Sequence, residues 1–250
     1  MARKAKVDNA VLKRLARQED SRKQDVNNKR RYYLIVCEGT ETEPNYFTGL
    51  KDNLLLGVID TIELRVEGTG HNTLTVIEDA QKARKRLEDS SSRTFDEVWA
   101  VIDRDSFPED HFNNAIFKGQ AVGVKCAWTN EAFELWYLLH FQFFHNGMSR
   151  KQYKALIERE LSQKLGRNYT YQKNSKEMYS LLSKHGNQEQ AILWAEKLEV
   201  AFVGQTDYAN HNPCTKVHTL IAKLLYPDKK EDESMTDYLQ RRRTKIRKKL

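Results

Sequence analysis

Carboxylates follow two strand-like runs of this sequence, at the point where each run ends. The apolar run "YYLIVC" is followed at once by Glu38, and "VWAVI" continues into "DRDSF", which places Asp103 and Asp105 two residues apart. At a period of two residues, Asp103 and Asp105 can point to one side of a strand while Arg104 points elsewhere. If the two runs form neighbouring parallel strands, three carboxylates meet at one edge of a sheet, where parallel sheets usually bind ligands.

Such a cluster has the chemistry of a divalent cation site. Carboxylates at close range repel one another, so the cluster either spreads its pKa values or recruits a cation. Oxygen ligands without a nearby His or Cys favour Mg²⁺ or Mn²⁺ over zinc. An ion of this kind can neutralise a phosphate, and a free carboxylate can serve as general acid or base in phosphodiester chemistry. The alternative is a strand-end turn in which Asp103 and Asp105 pair with local Arg or Lys.

The elements that position these residues alternate between strands and helices. Short apolar runs, "YYLIVC", "IELRV", "VWAVI" and "GVKCAW", are separated by helical stretches such as "EPNYFTGLKDNLL" and "NTLTVIEDAQKARKRLED". This alternation predicts an α/β domain over residues 32–130, with a mostly parallel sheet flanked by helices. Residues 131–225, from "EAFELWYLLHF" to "PCTKVHTLIAKLLY", consist of amphipathic runs broken by glycines. They predict a helical C-terminal half packed on the α/β domain.

The two ends of the chain carry most of the positive charge. Residues 1–31 hold 11 Lys/Arg against 4 Asp/Glu, and the last ten residues hold 7 basic and no acidic residues. The body between them has a net charge of −7, although the whole chain has a net charge of +7. We interpret residues 1–31 as a basic arm and 226–250 as a polar break followed by a basic tail, both suited to holding nucleic acid. The alternative is that both ends are solvated, lysine-rich segments.

The composition also indicates a cellular compartment. No apolar run approaches the roughly 20 residues that a membrane span requires, and "MARKAKVDNA" lacks the apolar region of a signal peptide. The three cysteines lie far apart and form no C-x-x-C motif, which suits a reducing compartment. We therefore expect a soluble cytoplasmic protein that does not bind membranes.

The order of the motifs resembles a known family. "VCEGTETEPNYF", followed by "VWAVIDRDSF", resembles the Toprim domain, in which one strand ends in a glutamate–glycine turn and a later strand ends in D-x-D. More narrowly, "EGTETEPNYF", "DRD", "FELWYLLHF" and "NPCTKVHTL" are similar to the RloB family. The resemblance implies a Toprim-like fold and a metal-dependent nuclease of phage defence, in some members paired with an ABC-type ATPase. It also implies that Glu38 is a general acid/base or metal ligand and that Asp103 and Asp105 are metal ligands.

Four more glutamates lie near the predicted edge of the sheet. Glu134 lies among large apolar residues, so it must reach solvent or a cation, and it is either a fourth metal ligand or part of a structural salt bridge. Glu131 is its obvious substitute. Glu43 precedes a proline at a helix start, where a negative charge complements the exposed N–H groups, so we expect a capping role for it. Glu41 is expected to face water.

A later segment and the D-R-D motif supply candidate substrate contacts. "YTYQKNSKEMY" interleaves tyrosines, including Tyr171, with lysines, a mixture that can stack bases and contact phosphates. Lys173 matches the Y-x-K lysine of the RloB family and, with Arg104, is predicted to contact the substrate. The alternative for this segment is an ordinary surface loop.

His211, Cys214 and His218 in "HNPCTKVH" invite a comparison with zinc sites. Zinc normally needs a fourth ligand, and Pro213 next to Thr215 also fits an ordinary helix start. We therefore assign Asn212 and Thr215 to packing or to positioning the acidic edge.

Taken together, the patterns predict a Mg²⁺- or Mn²⁺-dependent nuclease acting on the phosphodiester bonds of DNA or RNA, tRNA included. Two alternatives remain open from the sequence. The first is a nucleotidyl or phosphoryl transferase, because the same arrangement of carboxylates serves primases. The second is a non-catalytic effector or partner module whose acidic edge binds a protein or a structural ion.

Overall fold

In the part of the chain that the structure describes, the sheet has four strands, and all of them are parallel. The structure, a computed structural model, describes residues 31–54, 62–69, 73–91, 93–104 and 108–247. The strands are β1 (Arg31–Cys37), β2 (Ile62–Gly68), β3 (Glu97–Arg104) and β4 (Lys125–Asn130), in the spatial order β2-β1-β3-β4. The predicted α/β class with a parallel sheet flanked by helices is confirmed, and the arrangement is consistent with a Toprim-like fold.

Helices connect the strands and form the C-terminal half, as predicted. The helices between strands are α1 (Thr42–Asp52), α2 (Thr73–Ser91) and α3 (Glu109–Val122). Those after β4 are α4 (Glu134–Leu138), α5 (Arg150–Leu165), α6 (Met178–His185), α7 (Gln188–Val200), α8 (Val217–Leu225) and α9 (Met235–Arg247). Among the described residues, no helix combines the length and the hydrophobicity that crossing a membrane would require.

Two helices differ from the sequence prediction. The run "EAFELWYLLHF" was expected to be one amphipathic helix, but α4 ends at Leu138 and all five of its residues are buried. An amphipathic period cannot mark the end of a helix that is buried on every side. The basic C-terminal segment, predicted to be a tail, forms α9 instead. Its first turn is anchored because Met235 N–H donates to both carboxylate oxygens of Glu196, at 3.0 and 3.1 Å.

The sheet is buried on both faces, which explains why its strands are nearly continuous apolar runs. In β1, residues 33–37 are fully buried and contribute to two separate cores. Leu34 and Val36 face the core covered by α2 and α3, whereas Tyr33, Ile35 and Cys37 face α1 and the C-terminal helices. Burying each large apolar side chain contributes roughly 1.5–3 kcal/mol.

The alternation of side chains along β3 decides where its last residues point. Trp99 and Val101 belong to the core under α1 and the C-terminal half, so Asp103, two residues further, lies on that same face. Arg104 lies on the opposite face, and its Nη2 approaches Glu109 Oε1 of α3 at 3.5 Å. The strand therefore turns the carboxylate and the guanidinium toward different layers of the protein.

A segment after α7 completes the outer edge of β4. Asn130 N–H donates to Cys214 O at 2.9 Å, Lys216 N–H donates to Trp128 O at 2.7 Å, and the hydroxyls of Thr129 and Thr215 lie 2.9 Å apart. These bonds give the edge strand backbone partners on its exposed side. Thr215 thus has the packing role expected for it, and it fixes the strand end from which α4 departs.

Candidate active site at the carboxyl edge of the sheet

Four carboxylates share the carboxyl edge of the sheet, and we call them the acidic cluster. Glu38 follows β1, Asp103 lies near the end of β3, Glu43 lies in the first turn of α1, and Glu134 begins α4. Their charges act on one another: Glu134 and Glu38 both raise the pKa of Glu43, and all three glutamates raise the pKa of Asp103. The fold therefore brings carboxylates from the ends of β1 and β3 and from the starts of α1 and α4 to one place.

Glu38 is held in place by the two neighbouring strands. Its N–H donates to Val101 O at 2.9 Å, which extends the pairing of β1 with β3 by one residue. Its carboxylate accepts hydrogen bonds from the Thr73 hydroxyl at 3.0 Å and from Asp103 N–H at 3.3 Å. The structure thus brings Glu38 and Asp103 together, as the sequence predicted for neighbouring parallel strands.

Asp103 is the most constrained member of the cluster. Its Oδ2 accepts a hydrogen bond from Phe133 N–H at 3.0 Å, just before α4. Its Oδ1 is shielded from solvent and has no hydrogen-bond partner among the described residues. Burial, followed by the charges of Glu43 and Glu134, raises the pKa of Asp103 well above its ordinary value. An ionised Asp103 is therefore costly unless a cation compensates it.

Glu43 corrects one sequence prediction. It lies in the first turn of α1, and its carboxylate accepts a hydrogen bond from its own backbone N–H, as a capping role predicts, but its side chain is only 7 % exposed and also faces the acidic cluster. Burial, with repulsion from Glu134 and Glu38, raises its pKa to about 7, although Lys173 acts in the opposite direction. Glu41, in contrast, is exposed, as expected.

The glycine after Glu38 permits this close arrangement. A Cβ atom on Gly39 would lie 2.3 Å from Oε2 of Glu43, well inside the contact distance of the two atoms. The "EG" step of the motif therefore leaves room for the Glu43 carboxylate to approach the strand end. A side chain at position 39 would push Glu43 away from the cluster.

Glu134 joins the cluster from the first turn of α4. Its side chain is 7 % exposed, and Oε1 accepts a hydrogen bond from the Tyr171 hydroxyl at 2.9 Å. In the part of the chain that the structure describes, no Lys or Arg forms a salt bridge with it, so the predicted structural ion pair is not found. Its suggested substitute, Glu131, is engaged with Arg150, which donates to Glu131 O from Nε at 3.2 Å and from Nη2 at 2.9 Å.

The loop between α5 and α6, residues 166–177, which we call the strap, runs past the acidic cluster. Lys173 is exposed, yet its charge reaches Glu43 and lowers the pKa of that carboxyl. Tyr171 is only 5 % exposed and belongs to the core under α1. The expectation that Tyr171 offers a stacking face to nucleic acid is therefore wrong, because its ring is enclosed by protein.

The two predicted substrate contacts, Arg104 and Lys173, face different parts of the protein. Arg104 faces α3, so of the two predicted substrate contacts only Lys173 lies beside the carboxylates. Asp105 lies outside the described residues.

The predicted zinc candidates have other partners. His211 is buried and stacks on Phe202, with ring centroids 4.5 Å apart. His218 places Nδ1 2.8 Å from Thr215 O and Nε2 3.3 Å from a carboxylate oxygen of Glu199. These contacts account for both histidines as parts of the packing between the C-terminal helices and β4.

The donor set of the acidic cluster fits a hard divalent cation in its chemistry. All of its ligand atoms would be carboxylate oxygens, and the buried Oδ1 of Asp103 lacks a partner. The raised pKa values of Asp103 and Glu43 report the repulsion that such a cation would relieve. As the side chains stand, no three His, Cys, Asp or Glu among the described residues converge closely enough to hold a metal ion. Metal binding would therefore require the carboxylates to draw together.

Glu43 and Tyr171 are both more deeply buried than the sequence predicted. A signal for Glu43 existed: Glu43, Tyr46, Phe47 and Leu50 follow the i, i+3, i+4, i+7 spacing of a buried helix face, and all four are buried. Reading the glutamate as the first member of that face would have placed it inside the protein. Tyr171 offered no such signal, because its loop has no periodicity.

Comparison with known proteins agrees with the order of the motifs. The model of a family described as RloB-like protein matches residues 33–224. No curated protein and no solved structure gives a significant match. The matched region contains the whole acidic cluster and the strap, and it leaves out the basic arm at 1–31.

Proposed function

Because this chain belongs to the RloB-like protein family, we propose that it is a metal-dependent nuclease that hydrolyses phosphodiester bonds of DNA or RNA. The observation that carries the proposal is the acidic cluster, in which burial and the repulsion between carboxylates raise the pKa of both Asp103 and Glu43. A fold retains such a costly arrangement when it serves a ligand, and a divalent cation is the ligand that carboxylates bind best.

Each carboxylate has a role that follows from its position. Asp103 would hold the ion through Oδ1, which has no hydrogen-bond partner among the described residues, and Glu134 would be a further ligand. For Asp105, a ligand role is implied by the family resemblance alone. A bound Mg²⁺ or Mn²⁺ supplies neutralisation of the phosphate and a water of lowered pKa. Glu38, which is only partly buried, completes the site or moves a proton between water and the leaving oxygen.

Positive charge for the substrate comes from the strap and the chain ends. Lys173, exposed beside Glu43, is positioned to contact the phosphate next to the scissile bond. Arg242, Arg243, Lys245 and Arg247 are exposed on the second half of α9. These side chains would contact nucleic acid phosphates without reading sequence, so binding should weaken steeply as salt is added.

Two further parts of the proposal come from the family resemblance. They are a role in phage defence and control by an ABC-type ATPase partner. Residues 1–250 contain no G-x-x-x-x-G-K-[ST] motif.

The decisive experiment compares wild type with Asp103→Asn. Each is incubated with Mn²⁺ and labelled single-stranded DNA, duplex DNA or tRNA, and the ends produced are sequenced. We expect Asp103→Asn to lower the rate of cleavage at least about 1,000-fold, because it removes a charged ligand from the metal site. The control is Asp110→Asn, an exposed change in the first turn of α3, which should leave cleavage unchanged.

Two results would contradict the proposal. Equal cleavage by wild type and Asp103→Asn would mean that the activity does not come from this site. Incorporation of labelled nucleoside triphosphates without cleavage would instead identify a nucleotidyl transferase.

A further inference from the structure

Three side-chain hydrogen bonds tie the strap to the helices that carry the acidic cluster. Tyr171 donates from its hydroxyl to Glu134 Oε1 of α4 at 2.9 Å. From α1, the Thr42 hydroxyl donates to Lys173 O at 3.3 Å, and Asn45 Nδ2 donates to Asn174 O at 3.1 Å. The strap thus joins α4, which carries Glu134, to α1, which carries Glu43.

Tyr171 is fixed on several sides. Its backbone N–H donates to Glu158 Oε1 of α5 at 3.0 Å, and its ring lies edge-on to that of Tyr137, with centroids 6.4 Å apart. Its position is therefore set by packing and not by Glu134 alone. A rigid donor of this kind can orient a carboxylate, because the carboxylate gains most when it meets the hydroxyl in one rotamer.

The hydrogen bond distinguishes the two oxygens of Glu134. Oε1 is taken by Tyr171, and no bond to Oε2 is found among the described residues. A carboxylate held by one oxygen presents the other in a defined direction. Mutation of a group that orients a metal ligand in this way typically lowers metal affinity 10- to 100-fold.

We propose that Tyr171 is a positioning residue that orients Glu134 toward the acidic cluster and, through the strap, places Lys173 beside Glu43. This inference rests on the proposed function, because the orientation matters only if the cluster binds a cation. It assigns no chemistry to Tyr171 itself. The tyrosine acts through the carboxylate that it holds and through the lysine two residues further along the strap.

The test uses the full chain and removes one oxygen atom. Tyr171→Phe keeps the buried ring and deletes the hydroxyl. Mn²⁺ affinity is measured by electron paramagnetic resonance, and cleavage is measured as a function of Mn²⁺ concentration. We expect Tyr171→Phe to weaken Mn²⁺ binding about 10- to 100-fold and to shift the Mn²⁺ dependence of cleavage by a similar factor. Saturating Mn²⁺ should restore most of the rate, which a general loss of structure would not allow.

A matched control deletes a hydroxyl from another buried tyrosine. Tyr179 is 7 % exposed and packs against Tyr46, and its hydroxyl forms no hydrogen bond among the described residues. Tyr179→Phe should therefore change Mn²⁺ affinity less than twofold. Equal Mn²⁺ affinity in Tyr171→Phe and wild type would overturn the inference, as would equal losses in the two phenylalanine variants.

Asp103→Asn separates this inference from the proposed function. If Asp103→Asn retains cleavage, the nuclease site itself is wrong; if it loses cleavage while Tyr171→Phe behaves as wild type, only the positioning role is wrong. Should Tyr171→Phe not fold, Glu134→Ala removes the acceptor in place of the donor. Hydrogen exchange of residues 166–177 should then rise about tenfold, and unchanged exchange would overturn the inference.

Discussion

The two ends of strand β3 carry acidic residues in opposite electrostatic situations. At the amino end, Glu97 lies 2.9 Å from Lys223 Nζ and 3.0 Å from Lys125 Nζ, and it accepts a hydrogen bond from Trp99 Nε1 at 2.8 Å. At the carboxyl end, roughly 20 Å away along the strand, Asp103 faces other carboxylates. One strand therefore carries a neutralised carboxylate at its start and a repelled one near its end.

The pKa values separate the two ends in the same way. Burial would raise the pKa of Glu97, but hydrogen bonds from Lys223 and Lys125 outweigh it and hold the pKa below its ordinary value. Burial also raises the pKa of Asp103, and there the neighbouring charges of Glu43 and Glu134 add to the effect. The amino edge thus neutralises its carboxylate with lysines, whereas the carboxyl edge places carboxylates where burial and mutual repulsion both raise the pKa of Asp103.

Cavity size alone would point to the amino edge of the sheet. A cavity of about 730 Å³ lies at the amino edge, lined by Glu97, Glu199, Lys216 and Lys223 among others. These four charges are paired with one another or with neighbours at 2.6–3.0 Å. A large opening whose charges are already paired has less to offer an ion than carboxylates that repel one another.

The difference between the two edges can be tested most directly by removing one carboxylate charge at each edge. We expect Glu38→Gln to lower metal-dependent cleavage at least about 1,000-fold, because Glu38 either holds the ion or moves a proton. Glu97→Gln should leave cleavage within about threefold and should instead lower the melting temperature, because Lys223 and Lys125 then keep only the exposed Glu231 as a charged partner. The measurements are initial cleavage rates at saturating Mn²⁺ and thermal unfolding of both variants. If both variants lost activity equally, the distinction between the edges would fail.

The sequence predicted the carboxyl edge through the geometry of parallel sheets. Once "YYLIVC" and "VWAVI" are recognised as neighbouring parallel strands, the residues that follow them must meet. In the structure, Glu38 N lies 2.9 Å from Val101 O, and Glu38 Oε2 lies 3.3 Å from Asp103 N. This part of the site follows from periodicity and chain direction alone. The fold class follows from the same alternation of strands and helices.

Contacts that depend on packing at a distance could not be predicted. Tyr171 reaches Glu134 across 37 residues from a loop without periodicity, so no local pattern reveals the contact. The end of α4 at Leu138 was also hidden, because a helix enclosed on every side has no polar face to mark its limits. In both cases the deciding term is burial by other segments, which a pattern of neighbouring residues does not contain.

Raising the pH should destabilise the metal-free protein through the acidic cluster. The pKa of Glu43 is about 7 in the folded protein and near 4.5 in the unfolded chain, so the folded state binds more protons between these values. The free energy of unfolding should therefore fall by about 3 kcal/mol as the pH rises from 4.5 to above 7. Denaturant unfolding at several pH values measures this slope. Glu43→Gln should reduce this slope but not abolish it, because the raised pKa of Asp103 contributes in the same direction. Mn²⁺ should oppose the slope, and an unchanged slope in Glu43→Gln would contradict the placement of Glu43.

The amino edge should respond to pH in the opposite direction and by less. Burial would raise the pKa of Glu199, but hydrogen bonds from His218 and Lys216 outweigh it and lower the pKa to about 2. Its contribution to stability is complete above the unfolded pKa near 4.5 and is lost as the pH falls toward 2. The Glu199 side chain is 41 % exposed, so solvent screening reduces the effect to about 1 kcal/mol.

Comparing wild type with Glu199→Gln tests this smaller effect, because the acid sensitivity that both proteins share is subtracted. Acid unfolding of wild type and Glu199→Gln is compared between pH 5 and pH 2, and the wild type should lose about 1 kcal/mol more than the variant over this range. Above pH 5 the variant should be less stable by a similar amount, because Lys216 then lacks its charged partner at 2.6 Å. Parallel acid-unfolding curves would mean that Glu199 is not held as an ion by the amino edge. The contrast with Glu43, whose ionisation the fold resists, would then rest on the carboxyl edge alone.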